Sequence, residues 1–269
     1  MTDTEITRPG ETGFYRRGTR GSFSSSSSTA GPWSASTQHG GPPSALLGRA
    51  FEECEPREGF RLARVTLELP RPVPVGELAA TAWVVRSGAR TELLEGELTA
   101  DGRVVMTARA WRLPRSPHET PTLRPAPPIV GLPEPQPPHT MKGAHLDGYI
   151  AAMEWRFPPD AGFDTPGPGE AWARQRIPLV AGEPDTPVTR ALTLADSSWA
   201  VAFELDHATQ LVINNDVTLA LHRDPIGEWL GIRSETAATA QGSGLASGIL
   251  YDQTGECGRI LQTLLVASR

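Results

Sequence analysis

Residues 217–230 read VTLALHRDPIGEWL, and residues 65–78 read VTLELPRPVPVGEL. Alternating apolar residues, an arginine, a proline turn and then Gly-Glu recur in the same order, about 151 or 152 positions apart. Self-similarity at a fixed offset marks an internal duplication. Outward from this segment, GRVVMTAR at 102–109 lines up with GRILQTLL at 258–265. Each follows a turn signal, TADG or DQTGECG, that joins two alternating runs as a hairpin. Upstream of each copy lies one helix-like segment. PPSALLGRAFEEC (42–54) opens with prolines that a first helical turn tolerates, and TRALTLADSSWAVAF (189–203) is apolar at roughly helical spacing.

Each half therefore reads as one helix followed by about four antiparallel strands. They fall near 61–70, 77–87, 91–99 and 104–112 in the first half, and near 211–223, 228–240, 244–252 and 258–267 in the second. A lone sheet must cover its apolar face. The expected fold is α+β: two tandem helix-plus-antiparallel-sheet units forming one continuous curved sheet around two central helices. Ten of the 26 prolines lie between Pro114 and Pro138, where neither a helix nor a central strand can be sustained. The chain thus divides into a first unit at 1–112, a proline-rich linker at 113–144 and a second unit at 145–269. A second loop-rich tract, PPDAGFDTPGPGE (158–170), reads as a connection between two strands of the second half. The run Ser24 to Ser28 fits a low-complexity linker or an edge strand with a turn, and its composition does not choose between them.

At 269 residues and 38% hydrophobic content, the chain can bury a sizeable core. A net charge of -6 and the lack of clustered Lys and Arg argue against a nucleic-acid partner. Cys54 and Cys257 lie far apart in no metal-ligand spacing, so neither a disulfide framework nor a zinc site is expected. The first residues lack the apolar core of a signal peptide, and no stretch reaches membrane-spanning length. The expectation is a soluble, cytoplasmic protein without a membrane partner.

A duplication carries its own control, because positions where the copies differ are those where packing alone is an incomplete explanation. Asp216 falls opposite Arg64, and with the GR motifs aligned Gln262 falls opposite Met106. Strand alternation places Gln262 on the same face as Ile260, Leu264 and Val266. An unsatisfied amide there costs on the order of 1 to 3 kcal/mol, so it needs a partner, for which Asp216 is a candidate. Asp216, after Asn214 and Asn215, equally suits a turn cap. Thr236, near Val85 in the repeat, is a third candidate, with Thr239 as its alternative. In HGGPP (39–43), Gly40 and Gly41 precede a helix whose exposed N–H groups could hold an oxyanion, with His39 as a contributor or a structural histidine.

The ordered set GPWSASTQHGGPPSALLGRAFE, RPVPVGEL, NNDVTLALHRDPIGEWL and GRILQTLL resembles the TesB-like acyl-CoA thioesterases, over about residues 30–112 and 145–269. The resemblance implies a double hotdog fold and hydrolysis of acyl thioesters, on CoA or a carrier, without cofactor or metal. It also implies that Asp216, Thr236 and Gln262 position the attacking water, while His39, Gly40 and Gly41 bind the substrate carbonyl. The serine run and the long proline linker depart from the family and bear on substrate choice. A hydratase, dehydratase or cyclase using His39, or a non-catalytic acyl-CoA binding protein, are the other readings. GxSxG, P-loop and HExxH motifs are absent from the sequence. The open edges of such a sheet predict a homo-oligomer.

Overall fold

The computed structural model describes residues 12–115, 131–202 and 209–268. In chain order the strands are β1 (Tyr15–Arg17), β2 (Ser22–Ser25), β3 (Ala30–Gly31), β4 (Ser34–Gln38), β5 (Phe60–Glu68), β6 (Glu77–Ser87), β7 (Glu92–Ala100), β8 (Arg103–Pro114), β9 (Met153–Arg156), β10 (Gly169–Gln175), β11 (Gln210–Asn214), β12 (Asp216–Leu221), β13 (Leu230–Ala238), β14 (Ser243–Asp252) and β15 (Gly255–Ser268). The helices are α1 (Gly41–Glu53), α2 (Tyr149–Ala152), α3 (Pro187–Ala195) and α4 (Ser198–Val201).

One sheet of 13 strands runs β1-β2-β6-β7-β8-β5-β12-β15-β14-β13-β10-β9, with β11 also paired to β15. The halves meet at the β5–β12 seam, where Thr66 and Thr218 are direct cross-strand partners. These two threonines occupy equivalent positions in the repeat, so a local two-fold relates the halves and passes between them. Their hydroxyls stand 3.5 Å apart. On one sheet face, α1 packs closely on α3. A Cβ on Gly41 would lie 2.1 Å from the Thr193 carbonyl oxygen, and one on Gly48 would lie 2.3 Å from Leu192 Cδ1. Leu46, Leu47, Phe51, Val65, Leu67, Leu192, Val217 and Leu219 fill the space between helices and sheet. Among the described residues, no helix is long and apolar enough to cross a membrane.

The ladders revise the alignment of the halves. The β7–β8 hairpin is bulged where Leu98 and Thr99 face Met106 and Val104, and the β14–β15 hairpin is bulged where Leu250 and Tyr251 face Gly258 and Glu256. The 152-residue offset of the seam therefore holds through both hairpins. Gln262 stands where the first half has Ala110, not Met106, and Thr236 where it has Val84 rather than Val85. The GR motifs mislead because Arg103 begins β8 while Arg259 lies well inside β15. A slip of four residues preserves strand alternation, so the apolar pattern could not expose it.

One reading that composition left open is decided, and two others change. The serine run joins the sheet, with Phe23 of β2 opposite Leu78 of β6. Ser25 Oγ donates to the Gly76 carbonyl at 3.1 Å and Ser26 Oγ donates to that of Gly13 at 2.9 Å. The helix read at 189–203 breaks at Asp196–Ser197, giving α3, opened by a Thr186–Thr189 capping box, and the short α4. Residue 203 lies outside the described residues, as do 116–130 of the linker. The strand read at 211–223 is interrupted at Asn215, where β11 and β12 together set one more residue against β15 than β15 supplies. The same irregularity occurs at Ala63, between Leu62 and Arg64 of β5. The described end of the linker lies on the second half, where Gln136 exchanges hydrogen bonds of 2.7 and 2.8 Å with the Phe157 backbone.

Candidate active site

Polar groups gather on the helix-covered face of the second half, where the start of α1 meets the end of α3. Thr236, Ala246 and Gln262 form one cross-strand row on β13, β14 and β15. Gln262 is fully buried. Its Oε1 accepts from the Trp199 N–H at 3.1 Å and its Nε2 donates to the Asp196 carbonyl at 3.2 Å. The amide is thus satisfied by the α3–α4 corner, and Asp216 is not its partner.

Asp196 is the buried carboxylate of this cluster, with 3% of its surface exposed. A negative charge at a helix C-terminus opposes the helix dipole, so it needs compensation. Asn214 Nδ2 donates to Oδ1 at 2.7 Å. The positive end of α1 faces the carboxylate closely enough that a Cβ on Gly40 would fall 2.8 Å from it. Oδ2 lies 3.2 Å from His39 Nδ1.

His39 accepts the Gly41 N–H at Nδ1, at 3.1 Å. An Nδ1 that accepts leaves Nε2 as the protonated nitrogen of the neutral ring. Burial pushes the imidazole pKa down, with Asp196 opposing, which favours that neutral ring. Tyr149 stacks on it with ring centres 3.8 Å apart and planes 8° from parallel. Its hydroxyl donates to the Thr193 carbonyl at 2.8 Å and sits 3.0 Å from Ser197 Oγ. Burial drives the Tyr149 phenol above its ordinary range, so it remains a donor.

The α1 start offers fewer amides than HGGPP suggests. Pro42 and Pro43 have no N–H, Gly41 spends its own on His39, and Ser44 donates to the Gly40 carbonyl at 3.1 Å. Gly40 and Gly41 instead permit the close approach of α1 to the end of α3. Thr236 faces the same side as Gln262, two strands away, and its buried Oγ1 has no hydrogen-bond partner among the described residues. The intervening Ala246 leaves room between them across roughly 10 Å. Thr239 sits in the β13–β14 turn, where its N–H donates to the Ser243 carbonyl at 3.2 Å.

Asp216 lies apart from this cluster. Buried Val217 and Leu219 alternate with Asp216 and Thr218, which places Asp216 on the outer face of the sheet. Its Oδ1 accepts the Thr263 N–H at 2.8 Å, repairing the ladder at the bulge. Sequence reasoning missed Asp196 and Asn214. The available signals were a charged residue at the end of an apolar helix and a polar Asn214 at the position of Leu62 in the first half.

The profile of the acyl-CoA thioesterase N-terminal domain matches residues 29–113, and that of the acyl-CoA thioesterase C-terminal domain matches residues 128–266. No curated protein sequence matches the chain. Among solved structures, a candidate thioesterase from Novosphingobium aromaticivorans is 20% identical, with 94% of this chain and 98% of that one covered and a TM-score of 0.74. A hot dog protein of unknown function from Alicyclobacillus acidocaldarius is 16% identical over 98% and 100% of the two chains, with a TM-score of 0.72. The acyl-CoA thioesterase II TesB2 from Mycobacterium marinum is 14% identical over 95% of each, with a TM-score of 0.66. At these identities the likeness carries the double hotdog fold.

Proposed function

Because the chain belongs to the acyl-CoA thioesterase family and is a thioester hydrolase, we propose that its attacking water is activated where α1 meets the end of α3, with Asp196 as the base. The observation that carries this reading is the placement of the Asp196 carboxylate between Asn214 and His39 at the positive end of α1. The Asp196 carboxylate takes the proton from water and holds it on Oδ2 until the thiolate leaves, because the single lone pair of His39 Nδ1, 3.2 Å away, is already occupied by the Gly41 N–H. His39 Nε2–H then serves as the donor to the thioester oxygen as charge develops there, a role suited to a neutral imidazole. The hydroxide equivalent adds to the carbonyl carbon, the C–S bond breaks, and the thiolate leaves to take up the proton. Gln262 holds the Asp196 backbone in place, and Thr236 Oγ1 supplies a hydroxyl for the water or substrate. The substrate is an acyl-CoA or acyl-carrier thioester.

The test is free-thiol release from short, medium and long acyl-CoAs by Asp196→Asn and Asp216→Asn. Asp196→Asn is expected to lose about 100-fold or more, the scale of a lost general base. Asp216→Asn still accepts the Thr263 N–H and is expected to stay within a few-fold of wild type. The opposite pattern would overturn this reading and return the carboxylate role to Asp216, as the family resemblance implies.

A further inference from the structure

Tyr149 of α2 spans the corner where the start of α1 meets the end of α3. Its ring lies over the His39 imidazole, with centres 3.8 Å apart and planes 8° from parallel. Its hydroxyl donates to the Thr193 carbonyl at 2.8 Å and sits 3.0 Å from Ser197 Oγ, two groups that lie on either side of Asp196 in the chain. The phenol is fully buried and packs against Phe14 and Trp155, with ring centres 6.3 and 6.2 Å away. His39 has little else to fix its plane. Nδ1 accepts the Gly41 N–H, and Nε2 makes no hydrogen bond among the described residues. Rotation about the Cβ–Cγ bond of an imidazole is broad. A half-turn would put Cε1–H where Nε2–H now stands and leave the Gly41 N–H facing Cδ2–H. The phenol ring blocks that turn, because the imidazole would have to pass through an orientation perpendicular to it. The duplication again provides a control. The local two-fold carries this corner onto the one where the start of α3 meets the end of α1. There Thr186 caps α3 with its own hydroxyl, which accepts the Thr189 N–H at 3.1 Å and donates to Glu52 at 2.7 Å. That helix start is held without an imidazole, so capping alone does not account for the His39–Tyr149 pair.

We propose that Tyr149 is a positioning residue for thioester hydrolysis: its ring holds the His39 plane so that Nε2–H stays aimed at the thioester oxygen, and its hydroxyl fixes the turn that carries Asp196. This rests on the reading of Asp196 and His39 given above. One buried side chain thereby sets the separation of base and oxyanion donor, which come from different halves. A shift of about 1 Å between two such groups costs on the order of 100-fold in rate.

Two readouts on the intact chain test this: the 15N spectrum of the His39 ring, and thiol release from the acyl-CoA that wild type cleaves fastest, with kcat and KM determined separately. His39, one of six histidines, is assigned by the signal lost in His39→Gln. At about pH 8, wild type and Tyr149→Phe are expected to show one tautomer, protonated at Nε2, and Tyr149→Leu a mixture of both. Tyr149→Phe keeps the ring and loses the hydroxyl, so its kcat should fall about 10-fold, and that of Tyr149→Leu about 100-fold, with KM within about two-fold in each. A structural role alone would lower the yield of folded protein and leave the tautomer and kcat per folded site unchanged. A single Nε2 tautomer in Tyr149→Leu, an unchanged kcat in Tyr149→Phe, or losses confined to KM would each overturn the proposal. Should Tyr149→Leu fail to fold, Tyr149→Phe still decides through kcat, because its packing is preserved. Asp196→Asn on the same samples separates the two readings: full activity there overturns the base assignment, whereas the tautomer result concerns Tyr149 and His39 alone.

Discussion

Two rows of side chains, each crossing three strands on the helix-covered face, occupy equivalent positions in the two halves. In the first half the row is Val84–Leu94–Ala110, and in the second it is Thr236–Ala246–Gln262. Both rows are built into the core, with Leu94, Ala110, Ala246 and Gln262 all fully buried. The large residue moves from the middle strand to the last, and in moving it becomes an amide. A hotdog half thus needs volume at this level, while its chemistry depends on which strand provides it. The second half uses Gln262 to fix the corner that carries Asp196, and the first half fills the space with leucine.

The largest expected difference between the halves lies at their shared arginine. Arg223 holds the carboxylate of fully buried Asp252 through two nitrogens and also reaches the Gly255 carbonyl at 2.8 Å. Burial alone would raise the Asp252 pKa, but the bonds from Arg223, Thr254 and the Ile226 N–H drive it well below the usual carboxylate range. Arg71, its counterpart, is exposed. Arg223→Ala should lose about 3 to 5 kcal/mol in urea unfolding by leaving a buried charge unpaired, against under about 0.5 for Arg71→Ala. Equal losses would break the comparison.

Exchange of the row itself should have the next largest effect. Gln262→Ala strands the Trp199 N–H and the Asp196 carbonyl and is expected to cost about 2 to 4 kcal/mol, with Ala246→Leu restoring part of it by refilling the volume. Ala110→Gln, the reciprocal change, should also destabilise, because the first half offers its amide a close-packed apolar wall. If Gln262→Ala retained full stability, the role given to this residue at the α3–α4 corner would fail.

The smallest effect is a slope. His39 is the first half's contribution to the second half's site, and burial holds its pKa below the ordinary value. The unfolded chain therefore binds a proton that the folded chain refuses as pH falls below about 6.5, so this residue makes stability decline on acidification. His39→Gln should flatten the dependence of the urea midpoint between pH 7 and pH 5. An unchanged slope would mean that the ring titrates freely in the folded protein.

The sequence announced the duplication plainly because residues 65–78 and 217–230 are the seam strands and the turns that follow them, and both copies must satisfy the same ladder. The two long helices and eight main strands were legible for the same reason, since their periodicity is set by one shared core. Hairpin alignment was not, because a four-residue slip leaves alternation intact. The partner of Gln262 was hidden by the break in the second helix. Nothing in TRALTLADSSWAVAF distinguishes a continuous helix from two joined at Asp196, since Asp and Ser are tolerated in either. Asp216 drew attention as a polar departure from the repeat, yet a carboxylate that repairs a bulge and one that activates water look alike in a linear alignment. Asn214, two residues earlier, carried the same kind of departure on the inward face.

The seam at Thr66 and Thr218 also sets a timetable for the nascent chain. Until the second half leaves the ribosome, the edge of β5 away from β8 keeps its outward N–H and C=O groups unpaired, and the complement of that edge, β12, lies about 150 residues downstream. At roughly 5 to 20 residues per second that wait is on the order of ten seconds. During it that edge is open to any extended segment nearby, which is the exposure that the β5–β12 ladder ends.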